Sequence, residues 1–144
     1  MSIETLLTEY LCPCRSQHYF NDCCRLYLGG LRDAPTAEAL VRSRFSARLR
    51  QDHPYLLHSW HPKTRPANVA PLPHLECLDF EILHIEYNAA KTRCVIETSI
   101  QLRNGNETRV LHEISYLAQE DNQWLFVYGE IEHWDGLQRV AARS

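Results

Sequence analysis

The residues best suited to chemistry are crowded near one end of the chain. Cys12, Cys14, Cys23 and Cys24 stand in the run CPCRSQHYFNDCC, four of the six cysteines within thirteen positions. Such a cluster can be a disulfide knot, a redox site or a metal cage. Adjacent cysteines such as Cys23 and Cys24 seldom bridge one another, because the bridge demands a strained peptide geometry. A secreted disulfide framework also spreads its cysteines across the fold. Four thiolates around a short loop suit tetrahedral Zn²⁺, with Zn–S near ~2.3 Å. The spacing therefore favours a structural zinc site, with redox chemistry and a metal-free cluster as the alternatives. Pro13 stiffens the first pair. His18, inside the loop, is better placed as a neighbour than as a ligand.

Three further positions carry reactive groups. Arg44 falls within the apolar stripe of a predicted helix, where a guanidinium can anchor a carboxylate or phosphate through two parallel bonds. The structural alternative is a salt bridge to a sheet carboxylate such as Glu86. Trp60 and His61 follow a second predicted helix, at the expected mouth of the fold, with Tyr55 nearby. His61 is a candidate general acid or base, or a hydrogen-bonding peg for the loop behind it. His112 shares a strand face with apolar residues, as a core histidine or as a catalytic one. Glu113 falls on the opposite face, so the two cannot form a dyad. Cys94 sits on an apolar strand face and reads as a small hydrophobe. The sequence holds no phosphate-cradling glycine loop, His-x-x-x-His pair or nucleophile elbow.

The elements that must position these groups are legible in outline. Gly29-Gly30 and Pro35 mark a linker. Thr36 can cap a helix over 37–50, with Ala37, Leu40, Val41, Phe45 and Leu49 as its apolar stripe. Arg44 and Arg48 project within that stripe, and Arg48 is near enough to the end to snorkel outward. A second helix is predicted from about Pro54 to Ser59, followed by the proline-rich loop HPKTRPANVAPLP. From Asp79 the period changes to two. LDFEILHIEY reads as a strand with a bulge at Ile82-Leu83, and TRCVIETSIQL alternates cleanly. Asn104-Gly105 signals a hairpin, TRVLHEISYLA the return strand, Asp121-Asn122 another turn, and QWLFVYGEI a last strand. In the return strand Val110, His112, Ile114 and Tyr116 share one face. In the last, Tyr128 shares a face with Trp124 and Phe126. Two helices before four antiparallel strands make an α+β fold, with helices packed on one face of a curved sheet.

The cysteine run resembles the SEC-C zinc motif, named for the C-terminal segment of the bacterial preprotein-translocase ATPase. The match covers both cysteine ends and Tyr19. It departs at Arg15, where the motif has glycine, and at Gln17, His18, Phe20 and Asn21, where the motif is rich in lysine. In the translocase that basic centre resembles a docking surface for an acidic partner, and no such partnering is expected here. The words RSRF, YLLHSWHPKTRP and HEISYLAQEDNQWLFVYG resemble the YchJ-like family of bacterial proteins. That family joins a SEC-C motif to a cone-shaped, nuclear transport factor 2-like (NTF2-like) domain. The resemblance implies a zinc knuckle over residues 1–30 and an α+β cone over 31–144. Many members carry a second SEC-C motif at the C-terminus. DGLQRVAARS matches none, so a role needing two knuckles is not expected.

Composition narrows the function classes. A net charge of −3 and the lack of a basic stripe argue against nucleic acid or an anionic membrane surface as partner. MSIETLLTEYL has neither a basic n-region nor a long apolar h-region, so the expected location is the cytoplasm, where stable disulfides are uncommon. The expected function is a zinc-binding adaptor, with a protein partner on the knuckle and a small anionic ligand in the cone. The alternative is a small-molecule enzyme with a pocket lined by Arg44, Trp60, His61 and His112.

Overall fold

The computed structural model describes residues 10–69, 76–134 and 139–143. The first nine residues and 70–75, the end of the proline-rich loop, lie outside them. The first elements named among the described residues are a 3₁₀ turn at Phe20–Asp22 and a short helix α1, Cys24–Leu28. Helix α2, Ala37–Leu49, and helix α3, His53–His58, precede five strands: β1 Glu76–Tyr87, β2 Arg93–Asn104, β3 Glu107–Glu120, β4 Gln123–Trp134 and β5 Arg139–Arg143. They form one antiparallel sheet in the order β1-β2-β3-β4-β5. The sequence reading stopped at four strands. RVAAR lacks the alternation and turn signals that mark the others.

The helix ends follow from their capping residues. The Thr36 hydroxyl accepts from the Ala39 amide at 3.0 Å, and Glu38 lies in the first turn of α2, where the helix dipole favours it. The Asp52 carboxylate caps α3 by accepting from the Tyr55 amide at 3.2 Å, with Pro54 in the first turn. At the end of α1, Gly30 takes φ 75° while the Leu31 amide donates back to the Leu26 carbonyl at 2.9 Å. That is a Schellman ending, and only glycine enters it without strain. The β3–β4 turn at Asp121-Asn122 has φ of 51° and 62°, both positive as a type I′ hairpin requires.

The core lies between α2 and the inner face of the sheet. It collects Leu40, Val41 and Phe45 of α2, Phe80 of β1, Ile96 and Ile100 of β2, Leu117 of β3, and Trp124 and Phe126 of β4. Phe45 stacks on Phe80 with ring centroids 4.0 Å apart. Cys94 is in this core, 2% exposed, as a small hydrophobe. The predicted irregularity in β1 is present as a register shift between Ile82 and His84.

One predicted strand face is reversed and another is broken by a bulge. Thr98 pairs with Glu113 and Ile100 with Leu111, while Thr98 and Ile100 point into the core. The inner face of β3 therefore holds Leu111, Glu113, Ser115 and Leu117, and His112 looks outward. Both faces of VLHEISYLA carry apolar residues, so alternation alone does not choose between them. In β4 a register shift leaves Val127 as an extra residue. Tyr128 thereby departs from the face of Trp124 and Phe126 and stacks on Tyr116 of the outer face, centroids 4.5 Å apart.

Candidate functional site

The N-terminal cysteines come together through two tight turns. The Cys12 amide donates to the His18 carbonyl at 2.8 Å, and Leu11 and Tyr19 form an antiparallel bridge. Arg15 and Gln17 between them have φ of 64° and 72°, the left-handed region. Arg15 therefore occupies a backbone conformation that suits glycine. Its side chain spans to β1, where Nη2 donates to the Leu78 carbonyl at 2.9 Å. The 3₁₀ turn then carries the chain round to Cys23, and Cys24 opens α1.

The four sulfurs lie within 4.8 Å of one another, with Cys14 Sγ and Cys23 Sγ 3.7 Å apart. Four sulfurs at ~2.3 Å from a tetrahedral zinc are about 3.8 Å apart, so the spacing fits the ion. Cys12, Cys14 and Cys24 are buried and Cys23 is half-buried. The Ser16 hydroxyl lies 3.2 Å from Cys23 Sγ and the Ser46 hydroxyl 3.6 Å from Cys12 Sγ, placed to donate to thiolates. Hydrogen bonds from Cys14 and Cys24 hold the Cys12 thiol well below its ordinary range. Burial pushes Cys23 up to about 11.

The knuckle is fastened to the cone mainly through α2. Arg42 Nη1 donates to the Cys14 carbonyl at 2.6 Å, and its Nε pairs with Glu38 at 3.2 Å. The Arg50 guanidinium stacks 4.4 Å over the Phe20 ring.

On the far side of α2, a cavity of about 410 Å³ opens between α2, α3 and the inner face of the sheet. Its walls are mostly apolar, among them Phe45, Leu56, Phe80 and Phe126, and Arg44 and Trp60 line it. Arg44 is only 9% exposed, and Glu86 is not its partner. Arg44 Nη1 donates to the Leu56 carbonyl at 2.7 Å and to Ser59 Oγ at 2.6 Å. The guanidinium carbon sits 4.2 Å above the Phe126 ring and 5.1 Å from that of Trp60. Burial, followed by the nearby Arg48, pushes its pKa down to about 9, which leaves it charged at neutral pH. Trp60 packs edge-on against Phe126, and its Nε1 is buried with no partner among the described residues.

Arg48 does not snorkel outward. It turns into the cavity, where Nη1 meets Glu113 Oε2 at 2.9 Å, and that carboxylate raises the Arg48 pKa. Sequence reasoning missed this pair. The signal available was that Arg48 lies one turn from Arg44 on the same stripe. Its partner was hidden by the reversed face of β3.

The two predicted histidines are elsewhere. His61 is buried and pegs the loop to the sheet. Its backbone amide donates to the Phe126 carbonyl at 2.7 Å, and its Nδ1 accepts from the Lys63 amide at 3.1 Å. Nε2 therefore carries the proton that faces Glu120 Oε1 at 2.9 Å. His112 is on the outer face, its Nε2 3.7 Å from Glu97 Oε2. Neither lines the cavity, so Arg44 and His112 do not converge on one interior. Tyr55 instead bonds the Ser43 hydroxyl at 2.7 Å.

Comparison with known proteins fits this architecture. The family model of the YchJ middle NTF2-like domain matches residues 36–129. A UPF0225 protein of Streptomyces coelicolor is 38% identical over 120 residues, 83% of this chain and 94% of its own length. One from Bordetella pertussis is 36% identical over 126 residues, 83% of this chain and 92% of its own length. The solution structure of a SEC-C motif containing protein from Rhodopseudomonas palustris superposes with TM-score 0.70 at 26% identity, over 83% of this chain and 96% of that one. The crystal structure of a SEC-C motif containing protein from Psychrobacter arcticus has the same TM-score, 0.70, at 20% identity over 85% of this chain and 82% of that one, a likeness of fold. With four cysteines gathered ahead of a curved sheet and its helices, the chain belongs to the YchJ family of UPF0225 proteins.

Proposed function

We propose that the protein is a zinc-stabilised binding module, with one Zn²⁺ held by Cys12, Cys14, Cys23 and Cys24. The reading rests on the sulfur cluster, whose Cys14–Cys23 separation of 3.7 Å matches the edge of a zinc–thiolate tetrahedron. Four thiolates complete the tetrahedron and leave no open position, so the ion is structural and not catalytic. It fixes a small surface on which Tyr10, Leu11 and Tyr19 are 61%, 37% and 47% exposed. These apolar groups favour docking of a protein partner on the knuckle.

The test is to purify the full chain without chelators and measure metal and free thiols, beside Cys14→Ser. One zinc per wild-type chain and a loss of most of it in the variant are expected. Bound iron, a disulfide or no metal would overturn the reading. No helix among the described residues is long and apolar enough to cross a membrane.

The cavity favours a second role, that of a small-molecule site. It has a volume of about 410 Å³, within the ~300–1,000 Å³ range of ligand pockets, and mostly apolar walls with a few charged groups. The enzyme alternative in its Arg–His form loses support, since His61 and His112 lie off the cavity.

A further inference from the structure

On the inner wall of the cavity, among the described residues, the charged groups do not balance. Arg44 and Arg48 face a single inward carboxylate, Glu113. Glu130 also borders the cavity, but it pairs with outward-facing Ile114 and acts on the Tyr116 hydroxyl of the outer face. His53 lines the cavity, half-exposed. Arg48 Nη1 meets Glu113 Oε2 at 2.9 Å, while Glu113 Oε1 is buried with no hydrogen-bond partner among the described residues. Arg44 is left with neutral acceptors: a carbonyl, a hydroxyl and two aromatic faces. Its bonds to Leu56 and Ser59 both leave from Nη1, so the rest of the planar fork is not used by them. Glu113 acts on Arg44 through space, but no carboxylate is bonded to it among the described residues. A buried cation without a bonded counter-charge is costly, and a guanidinium fork matches a carboxylate through paired bonds.

Resting on the reading of the cavity as a ligand site, and independent of the zinc, we propose that the cone binds a monocarboxylate with an apolar body. The carboxylate meets Arg44, and the apolar body lies against Phe45, Phe80 and Phe126. One uncompensated positive charge suits a monoanion over a phosphate dianion, which would bring a second charge into an apolar wall. The mostly apolar lining selects against small, fully hydrated anions.

The test uses the full zinc-loaded chain and isothermal titration calorimetry, with phenylacetate, the isosteric phenylacetamide, acetate and inorganic phosphate as probes. Phenylacetate is expected to bind at least tenfold tighter than each of the other three. Arg44→Met should remove its advantage over phenylacetamide. Should that variant fail to fold, Ser115→Phe, which fills the inner wall and keeps both arginines, should weaken both aromatic probes at least tenfold. Equal binding of phenylacetate and phenylacetamide by the wild type would overturn the inference while leaving the cavity as a ligand site. Phenylacetate binding unaffected by Ser115→Phe would place the ligand elsewhere and overturn it too. No binding of either aromatic probe would overturn both the inference and the cavity reading, with the zinc proposal untouched.

Discussion

Arg15 shows how one side chain can stand where a backbone asks for glycine. At φ 64° it carries the cost of the left-handed region, roughly 1–2 kcal/mol for an L-residue, and its bond to the Leu78 carbonyl offsets part of that. Arg15→Gly should therefore keep its zinc and change stability by no more than about 1 kcal/mol, which metal analysis and thermal melts check. The Arg48–Glu113 pair should behave differently. Glu113→Gln removes the inward carboxylate and leaves two guanidiniums in one cavity wall. A loss of about 3 kcal/mol, or roughly 10 °C in Tm, is expected. A change under about 1 kcal/mol in chemical denaturation would mean that the pair is solvated like a surface one. At this scale the cysteine cluster was readable because residue type and spacing announce it. Arg44 was readable from helical period, but its partners were not. They are a carbonyl and a hydroxyl on α3, set by how two helices pack and not by any local pattern.

Elements were more legible than their faces. The Thr36 cap, the apolar stripe of α2, the β1 bulge and the turn at Asp121-Asn122 all follow from local chemistry, and each is present. The face of β3 was not legible, because Val110, Ile114 and Tyr116 compete with Leu111 and Leu117 for the interior. What decides it is β2, whose Ile96, Thr98 and Ile100 are all less than 3% exposed and fix which neighbours point inward. The β4 bulge at Val127 is equally silent in sequence, since WLFVY is apolar throughout. At the cavity wall Phe45 stacks on Phe80 and joins α2 to β1. Phe45→Ala should destabilise by about 3–5 kcal/mol in urea unfolding, as deletion of a buried aromatic does. A cost under about 1 kcal/mol would show that α2 is held by its polar contacts instead.

The whole molecule has two cores of unequal size. The larger lies between α2 and the sheet. The smaller consists of Cys12, Cys14 and Cys24 with Phe20, Cys23 and Leu28 around them. So few apolar groups cannot hold a fold alone, and metal binding is then folding energy for the knuckle. Chelation should melt the knuckle and leave the sheet signal in circular dichroism intact. Loss of that signal at room temperature would mean that the two cores fold as one. Loading should also release protons. Burial raises the Cys23 thiol to about 11, and its bonds to Cys12 and Cys14 raise Cys24, so both hold protons at neutral pH until a cation displaces them. Zinc affinity should therefore fall as pH falls. The expectations for the knuckle depend on one ion in the cysteine cluster, the central claim, and zinc and thiols counted together test it most directly. Freshly purified, unchelated chain should carry close to one zinc, with Cys12, Cys14, Cys23 and Cys24 unreactive to a thiol reagent until the metal is stripped. Less than about half an equivalent of zinc, or thiols that react at once, would contradict it.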